Sequence, residues 1–255
     1  MNVLDLFCLD GKTAIVTGCN RGLGQGITAA LAQAGANILG VGSSPEAGET
    51  RSLVEKAKKL FVYHSGNLVT TEPIEKIFTR AVCEFGRVDI VVNNAGTIRR
   101  NDAIDFTEED WDDVVNINLK SLFFMCQAAA RQFIKQKTGG KIINIASMLS
   151  YQGGIRVPSY TASKSGVKGI TMAMANEWAK HGININAIAP GYMETDNTAA
   201  LRADEQRNKD ILARIPTGRW GTPSDLAGAA VFLASSASDY INGFTIAVDG
   251  GWLAR

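Results

Sequence analysis

Ser147, Tyr160 and Lys164 have the residue types and spacing that moving a proton on and off a carbonyl or alcohol oxygen requires. Tyr160 and Lys164 are four apart, so on a helix they share one face and the ammonium lies close to the phenol. A phenol titrates near pH 10 and is a poor acid or base at neutrality, but a neighbouring cation stabilises its phenolate. Ser147 adds a neutral hydroxyl. The pair of hydroxyls could hold a substrate oxygen between two hydrogen-bonding groups while the proton passes through the tyrosine. An isolated Tyr-x-x-x-Lys is ordinarily just the surface of a helix, so the rest of the chain must give the spacing its meaning.

That context begins at the first strand, which runs into Thr17-Gly18-Cys19-Asn20-Arg21-Gly22-Leu23-Gly24 and then a helix. Glycines at 18, 22 and 24 allow a tight turn, a close approach to a pyrophosphate and free amides at the positive end of a helix dipole. Glycines also close ordinary βα turns. Placement after the first strand of a βαβ pattern favours a dinucleotide cradle.

Strand-like runs at Lys12–Thr17, Asn37–Val41, Phe61–His64, Ile90–Asn93, Lys141–Ala146, Ile183–Ala189 and Thr245–Val248 are nearly continuous in apolar residues, as buried parallel strands are. Between them the pattern predicts helices over Leu23–Ala34, Thr50–Lys59, Pro73–Phe85, Glu108–Gln136, Tyr160–His181 and Ser224–Leu233. Alternation of this kind implies an α/β fold, a Rossmann-type doubly wound parallel sheet of seven strands. With no repeat or linker, residues 1–255 are expected to form a single domain. The irregular, charged stretch 191–217 is expected to be a mobile loop or small helical lid.

Composition mainly excludes. The 255 residues are 45% hydrophobic with a net charge of +1 and no Lys/Arg run, so neither a nucleic-acid footprint nor a membrane-surface patch is expected. Cys8, Cys19, Cys83 and Cys126 are scattered, and only His64 and His181 could join them as ligands. No metal site or disulfide framework is expected. The absence of a basic leader or a long apolar run makes a soluble cytoplasmic protein the expectation.

Taken in order, these residues resemble the short-chain dehydrogenase/reductase family over essentially the whole chain. Thr17 to Gly24 match its T-G-x-x-x-G-x-G, Asn93 to Gly96 its N-N-A-G, and Asn118, Ser147, Tyr160 and Lys164 its catalytic tetrad; Pro190-Gly191 and Thr195 match the segment after the sixth strand. The resemblance implies an NAD(P)-dependent oxidoreductase acting on a CH–OH group. In it Tyr160 is the acid/base, Lys164 lowers the tyrosine pKa and binds the nicotinamide ribose, Ser147 polarises the substrate oxygen and Asn118 holds a water in a proton relay. It also implies cofactor contacts at Gly18, Asn20, Arg21, Gly22, Leu23, Gly24, Ser43, Asn67, Leu68, Asn94, Ala95, Gly96, Tyr160, Lys164, Pro190, Gly191 and Thr195. Asn67 stands where the family more often has Asp. Asn93 could satisfy backbone groups at the end of its strand while the turn packs beside the adenosine, and Thr195 could touch the nicotinamide carboxamide or cap the next helix.

Cofactor choice is less marked. An acid ending the second strand would bind the ribose 2′-hydroxyl and repel a 2′-phosphate, but Gly42, Ser43 and Ser44 stand there. Arg21 could attract a 2′-phosphate. Within the family, the runs 153–164, 94–100 and 248–255, with 145–150 and 214–216, resemble the bacterial group that interconverts 2-dehydro-3-deoxy-D-gluconate and its 2,5-diketo form in uronate breakdown, usually with NAD. NAD is therefore the expected cofactor, with NADP admitted. A sugar keto acid needs a cationic partner near Ser147 and Tyr160. Arg156 is preferred, Arg99 comes next, and Arg100 reads as an ordinary surface arginine. Gln152, Met148 and Tyr192 could shape the pocket. Gluconate 5-dehydrogenase, another polyol dehydrogenase, a 3-oxoacyl thioester reductase and a non-catalytic NAD sensor are the alternatives, the last opposed by the intact tetrad. Apolar residues such as Phe123, Phe124, Met172 and Met174 on several faces of the long helices, and by resemblance the segment around Trp252, point to a homotetramer.

Overall fold

The computed structural model describes residues 2–255. Seven parallel strands form one sheet: β1 (Thr13–Thr17), β2 (Asn37–Gly42), β3 (Phe61–Ser65), β4 (Ile90–Asn93), β5 (Gly140–Ile145), β6 (Ile183–Pro190) and β7 (Thr245–Val248), in the order β3-β2-β1-β4-β5-β6-β7. Successive residues of a strand point to opposite faces, and here both faces are dry. Ile15 packs on one side with Phe78, Met125 and Phe133, while Ala14 and Val16 pack on the other with Ile27, Leu31 and Leu233.

The covering helices follow from capping and apolar periodicity. On one face lie α3 (Pro73–Phe85), α5 (Leu122–Gln136) and α6 (Pro158–Trp178); α1 (Gly22–Gln33) and α9 (Ala227–Ala234) cover the other, with α2 (Gly48–Lys56) beside α1. Pro73 opens α3 at a position where its missing N–H costs nothing, and Gly86 closes it at φ +76°. Thr107 accepts the Asp110 N–H at 3.1 Å to start α4 (Glu108–Val115).

Several expected boundaries shift. The predicted helix Glu108–Gln136 is interrupted: between α4 and α5 the turn widens to π geometry over Asn116–Ser121. Helix α2 stops at Lys56, and Lys58 turns at φ +59°. Within 191–217 the chain forms a short turn at Asp196–Thr198, then α7 (Ala199–Ala203) and α8 (Glu205–Arg214). Ile211 and Ile215 pack there against Met148, Trp220 and Trp252. Trp252 is thus 4% exposed within its own chain, and its indole is not what a partner would meet.

Because β1 is flanked by β2 and β4, the chain reverses direction across the sheet at β1, and the helices that follow β1 and β4 cover opposite faces, which places a crevice at the strands' carboxyl ends. The catalytic helix α6 is located by a buried polar chain that the sequence pattern does not announce. Asn93 donates to Asn144 Oδ1 at 2.9 Å, Asn144 Nδ2 donates to Thr171 Oγ1 at 2.9 Å, and Thr171 donates to the Val167 carbonyl at 2.7 Å. Asn93 therefore serves this network, with Cys126 at its side, while the Asn94 side chain bonds the backbone at the end of β1. Asn144→Leu strands the Asn93 donor and removes Thr171's, costing about 2–6 kcal/mol for the polar groups left in the core. Chemical denaturation should show a loss of that order, and an unchanged midpoint would contradict the positioning role.

Candidate active site

Two loops at the crevice are fastened to each other by backbone and side chain. Thr17 Oγ1, at the end of β1, accepts both the Asn94 and Ala95 N–H groups at 3.0 Å. Asn94 Nδ2 returns bonds to the Thr17 and Gly18 carbonyls at 3.0 and 3.1 Å. Gly18 turns at φ +66°, and a Cβ there would meet Asn94 Nδ2 at 2.8 Å. A Cβ at Gly24 would strike the Gly18 carbonyl. The free amides at the start of α1, with Arg21 as an N-cap that makes no side-chain cap bond, face outward from this turn. Glycine is needed because the backbone itself must form the floor, and such a floor fits the pyrophosphate of a dinucleotide.

The adenosine end has its own cluster. Asn20 Nδ2 donates to the Glu46 carbonyl at 2.8 Å and to Tyr63 Oη at 3.0 Å, and Tyr63 donates to the Ser44 carbonyl at 2.8 Å. A side chain at Gly42 would run into Asn20 Oδ1 and the Tyr63 hydroxyl. The carboxylate that would repel a 2′-phosphate is therefore sterically excluded from that position, while Ser43 remains exposed beside it. Asn67 uses Oδ1 on the Val69 N–H at 3.1 Å and keeps its amide donors. Leu68 is buried in the core, so only its backbone is available to an adenine. Leu23 packs on the core beneath the turn, and Pro190 and Gly191 follow β6, where a Cβ on Gly191 would meet Asp249. Thr195 begins the turn at 196–198, with its methyl facing Gly22.

The expected catalytic side chains come together from separate elements: Ser147 after β5, Tyr160 and Lys164 on α6, Asn118 in the widened turn. Ser147 is 7% exposed, and its oxygen accepts the Leu149 N–H at 3.1 Å, which leaves its O–H to donate. Burial raises the Tyr160 pKa, while a hydrogen bond with Ser147 and the positive charge of Arg100 pull it down. Lys164 is 4% exposed, donates to the Ile145 carbonyl at 2.6 Å and sits 5.6 Å from the Tyr160 ring centroid. Burial lowers its pKa to about 8. The ammonium is turned to a backbone carbonyl in this arrangement.

Asn118 is fully buried. Its Oδ1 accepts the Thr97 N–H at 2.8 Å and its amide donates to the Thr97 carbonyl at 2.9 Å and Ser163 Oγ at 3.3 Å. A Cβ on Gly96 would press on Asn118 Oδ1 at 3.0 Å. The side chain therefore clamps the segment after β4.

The substrate side differs most from expectation. Arg99 is held by Asp110 at 3.3 Å and Asp113 at 2.8 Å, and Arg156, at φ +64°, by Asp102 at 3.0 Å. Arg21 pairs with Asp196 at 2.8 Å, tying the glycine-rich turn to 196–198 rather than standing free for a phosphate. Gln152 accepts from Trp252 and Arg214, each at 3.2 Å, and Tyr192 packs edge-on against Trp220 and Trp252. Thr17 and Tyr63 are residues of this region to which the sequence assigned no individual role, and Arg100, read there as an ordinary surface arginine, has a charge that acts on Tyr160. Thr17 opens the glycine motif and could have been singled out; Tyr63 carried no signal.

The family model described as enoyl-(acyl carrier protein) reductase matches residues 18–253. The chain is 64% identical over 253 residues to the 2-dehydro-3-deoxy-D-gluconate 5-dehydrogenase of Escherichia coli K12, covering 99% of this chain and 100% of that one. The Bacillus subtilis protein of the same name is 55% identical, with 98% of each covered. Among solved structures, a gluconate 5-dehydrogenase from Burkholderia cenocepacia in complex with NADP and tartrate is 36% identical, with a TM-score of 0.94 and 100% of both chains covered. The crevice loops, the Ser147, Tyr160 and Lys164 cluster and these matches have one origin: the chain belongs to the short-chain dehydrogenase/reductase family, oxidoreductases that act on CH–OH groups with NAD(P).

Proposed function

We propose that the chain interconverts 2-dehydro-3-deoxy-D-gluconate and its 2,5-diketo form, in the breakdown of uronates and in the cytoplasm. The observation that carries this reading is the 64% full-length identity to a protein of that name, in a chain whose Ser147, Tyr160 and Lys164 share one crevice. Relatives named gluconate 5-dehydrogenase are more distant, the Gluconobacter oxydans protein being 40% identical. Among the described residues no helix is long and apolar enough to cross a membrane.

The roles follow from the geometry. Bound NAD(P) supplies the hydride acceptor for oxidation and the donor for reduction. Tyr160 takes the proton from the C5 hydroxyl in oxidation and returns it in reduction. Ser147, with its oxygen already accepting from Leu149, donates to the same substrate oxygen and stabilises charge that develops there. Lys164 would hold the nicotinamide ribose in place of the Ile145 carbonyl and would stabilise the phenolate with its charge. We assign the relay contact of Asn118 to its backbone, freed from the regular helical ladder by the π turn, because the side chain is engaged on Thr97. Apart from Arg21, which is paired with Asp196, the residues after β1, β2, β3, β4 and β6 expected to hold the cofactor keep that assignment, with Asn20 and Tyr63 at the 2′ position, where position 42 has no room for a carboxylate. Segment 191–217 closes over the substrate.

We also propose a homotetramer. Phe124, Ile134 and Met172 on α5 and α6 are 37–45% exposed, and Phe244 beside the edge strand β7 is 59% exposed, more apolar surface than a lone chain needs to show.

Assaying reduced-nicotinamide absorbance with NAD and NADP against uronate-derived keto acids, gluconate and a 3-oxoacyl thioester tests the substrate assignment; turnover confined to gluconate or the thioester would refute it. Tyr160→Phe removes only the proton-carrying oxygen, so turnover should fall by about 10²–10⁴-fold with the NAD(P) dissociation constant nearly unchanged. Near-normal kcat would overturn the acid/base role. Lys164 gives a pH signature: with its folded pKa about 8 against 10.5, the unfolded chain binds more protons between those values, so stability rises with pH through that window, until about pH 10 where tyrosine ionisation intervenes. Lys164→Met should flatten that rise in a Tm-versus-pH series; equal slopes would contradict the buried ammonium. Light scattering should give a tetramer mass at micromolar concentration, and a monomer would refute the assembly.

A further inference from the structure

We propose that Arg100 is the residue that grips the substrate carboxylate and so selects sugar acids over uncharged sugars. This rests on the proposed reading of the crevice as the site of a keto-acid dehydrogenase. Three other nearby arginines are paired, Arg99 with Asp110 and Asp113, Arg156 with Asp102 and Arg21 with Asp196, while half-buried Arg202 has no carboxylate partner and donates to the Thr195 carbonyl. Among the described residues Arg100 has no carboxylate within ion-pair reach. Its one hydrogen bond runs from Nη2 to the Asn197 carbonyl at 3.0 Å, so most of a five-donor fork is uncommitted.

Position and fixity support the same assignment. Arg100 lies three residues beyond Thr97, whose N–H and carbonyl are both held by buried Asn118. The segment leading to Arg100 is thus held by the widened turn that carries Asn118, while the tip of its side chain reaches the turn at 196–198. A substrate whose C5 oxygen sits between Ser147 and Tyr160 must extend its carboxylate end beneath that turn or away from it. The Arg100 charge is felt at the Tyr160 phenol, and no such effect comes from Arg99 or Arg156. A guanidinium that reaches the turn at 196–198 and has no carboxylate partner offers a two-point hold that lysine would not reproduce. With Nη2 retained on Asn197, binding of the acid would also fix the turn over the site.

The test compares Arg100→Met and Arg100→Lys with wild type, on the keto acid and its neutral methyl ester, with the NAD(P) dissociation constant read by fluorescence and D-gluconate binding to the NAD(P)-loaded protein read by calorimetry. For Arg100→Met, KM for the acid should rise about ten- to a hundredfold and gluconate affinity fall in parallel, with a much smaller change on the ester and in NAD(P) affinity. Arg100→Lys should fall between. Two control variants distinguish a direct grip by Arg100 from an effect of its surroundings. Asp196→Asn loosens the second tie of the same turn, and Arg202→Met removes a neighbouring arginine whose contact is the Thr195 carbonyl. Equal losses on acid and ester, an equal acid-selective loss in Asp196→Asn, or a loss confined to Arg202→Met would each overturn the assignment. If wild type fails to turn over the keto acid, the substrate reading fails, while calorimetry still reports whether Arg100 binds a carboxylate.

Discussion

The Thr17 hydroxyl accepts two backbone N–H groups from the loop after β4, and Asn94 answers with two bonds to the loop after β1. This closes the sheet's carboxyl edge where the chain switches direction, at the one place where a strand-ending loop would otherwise drift from its neighbour. Glycine follows as a necessity at 18, since the Asn94 amide occupies the space of a Cβ. Gly96 is pressed in the same way by Asn118. The cofactor floor, the segment carrying Arg99 and Arg100 and the widened helical turn are therefore parts of one hydrogen-bonded unit. Each bond is modest by itself, but leaving any of these buried groups unpaired is expensive.

Burial sets the electrostatics of the catalytic pair. Enclosing the Lys164 ammonium and the Tyr160 phenol disfavours both charged forms, so the tyrosine moves up and the lysine moves down from their ordinary values. The Ile145 carbonyl gives the ammonium a partner inside the protein. In the proposed mechanism Lys164 would exchange that carbonyl for the nicotinamide ribose, and cofactor binding would then be coupled to the phenol through one side chain. The geometry between them is set by α6, itself pinned by the Asn93, Asn144 and Thr171 chain.

The strands and the grouping of Tyr160 with Lys164 on one helix were legible because each has a local cause: fully buried parallel strands need unbroken apolar runs, and a spacing of four puts two side chains on one helical face. The break in Glu108–Gln136 was not legible, because apolar periodicity continues through Asn116–Ser121 and the cause lies in the contact of Asn118 with Thr97, distant in sequence. The same holds for the arginines. Arg99, Arg100 and Arg156 are equivalent as letters, and only the placement of Asp102, Asp110 and Asp113 shows which are neutralised. The Trp252 indole, in a segment that the family resemblance places at an interface, packs within its own chain against α8 and Trp220, which its position in the sequence does not show.

Hydride transfer to and from C5 of a sugar acid is the central claim, and isotope transfer tests it most directly. Deuterium placed at C4 of the reduced nicotinamide should appear at C5 of 2-dehydro-3-deoxy-D-gluconate when the 2,5-diketo form is reduced, as read by NMR or mass spectrometry of the product. Product that carries no deuterium, or carries it at another carbon, would contradict the account.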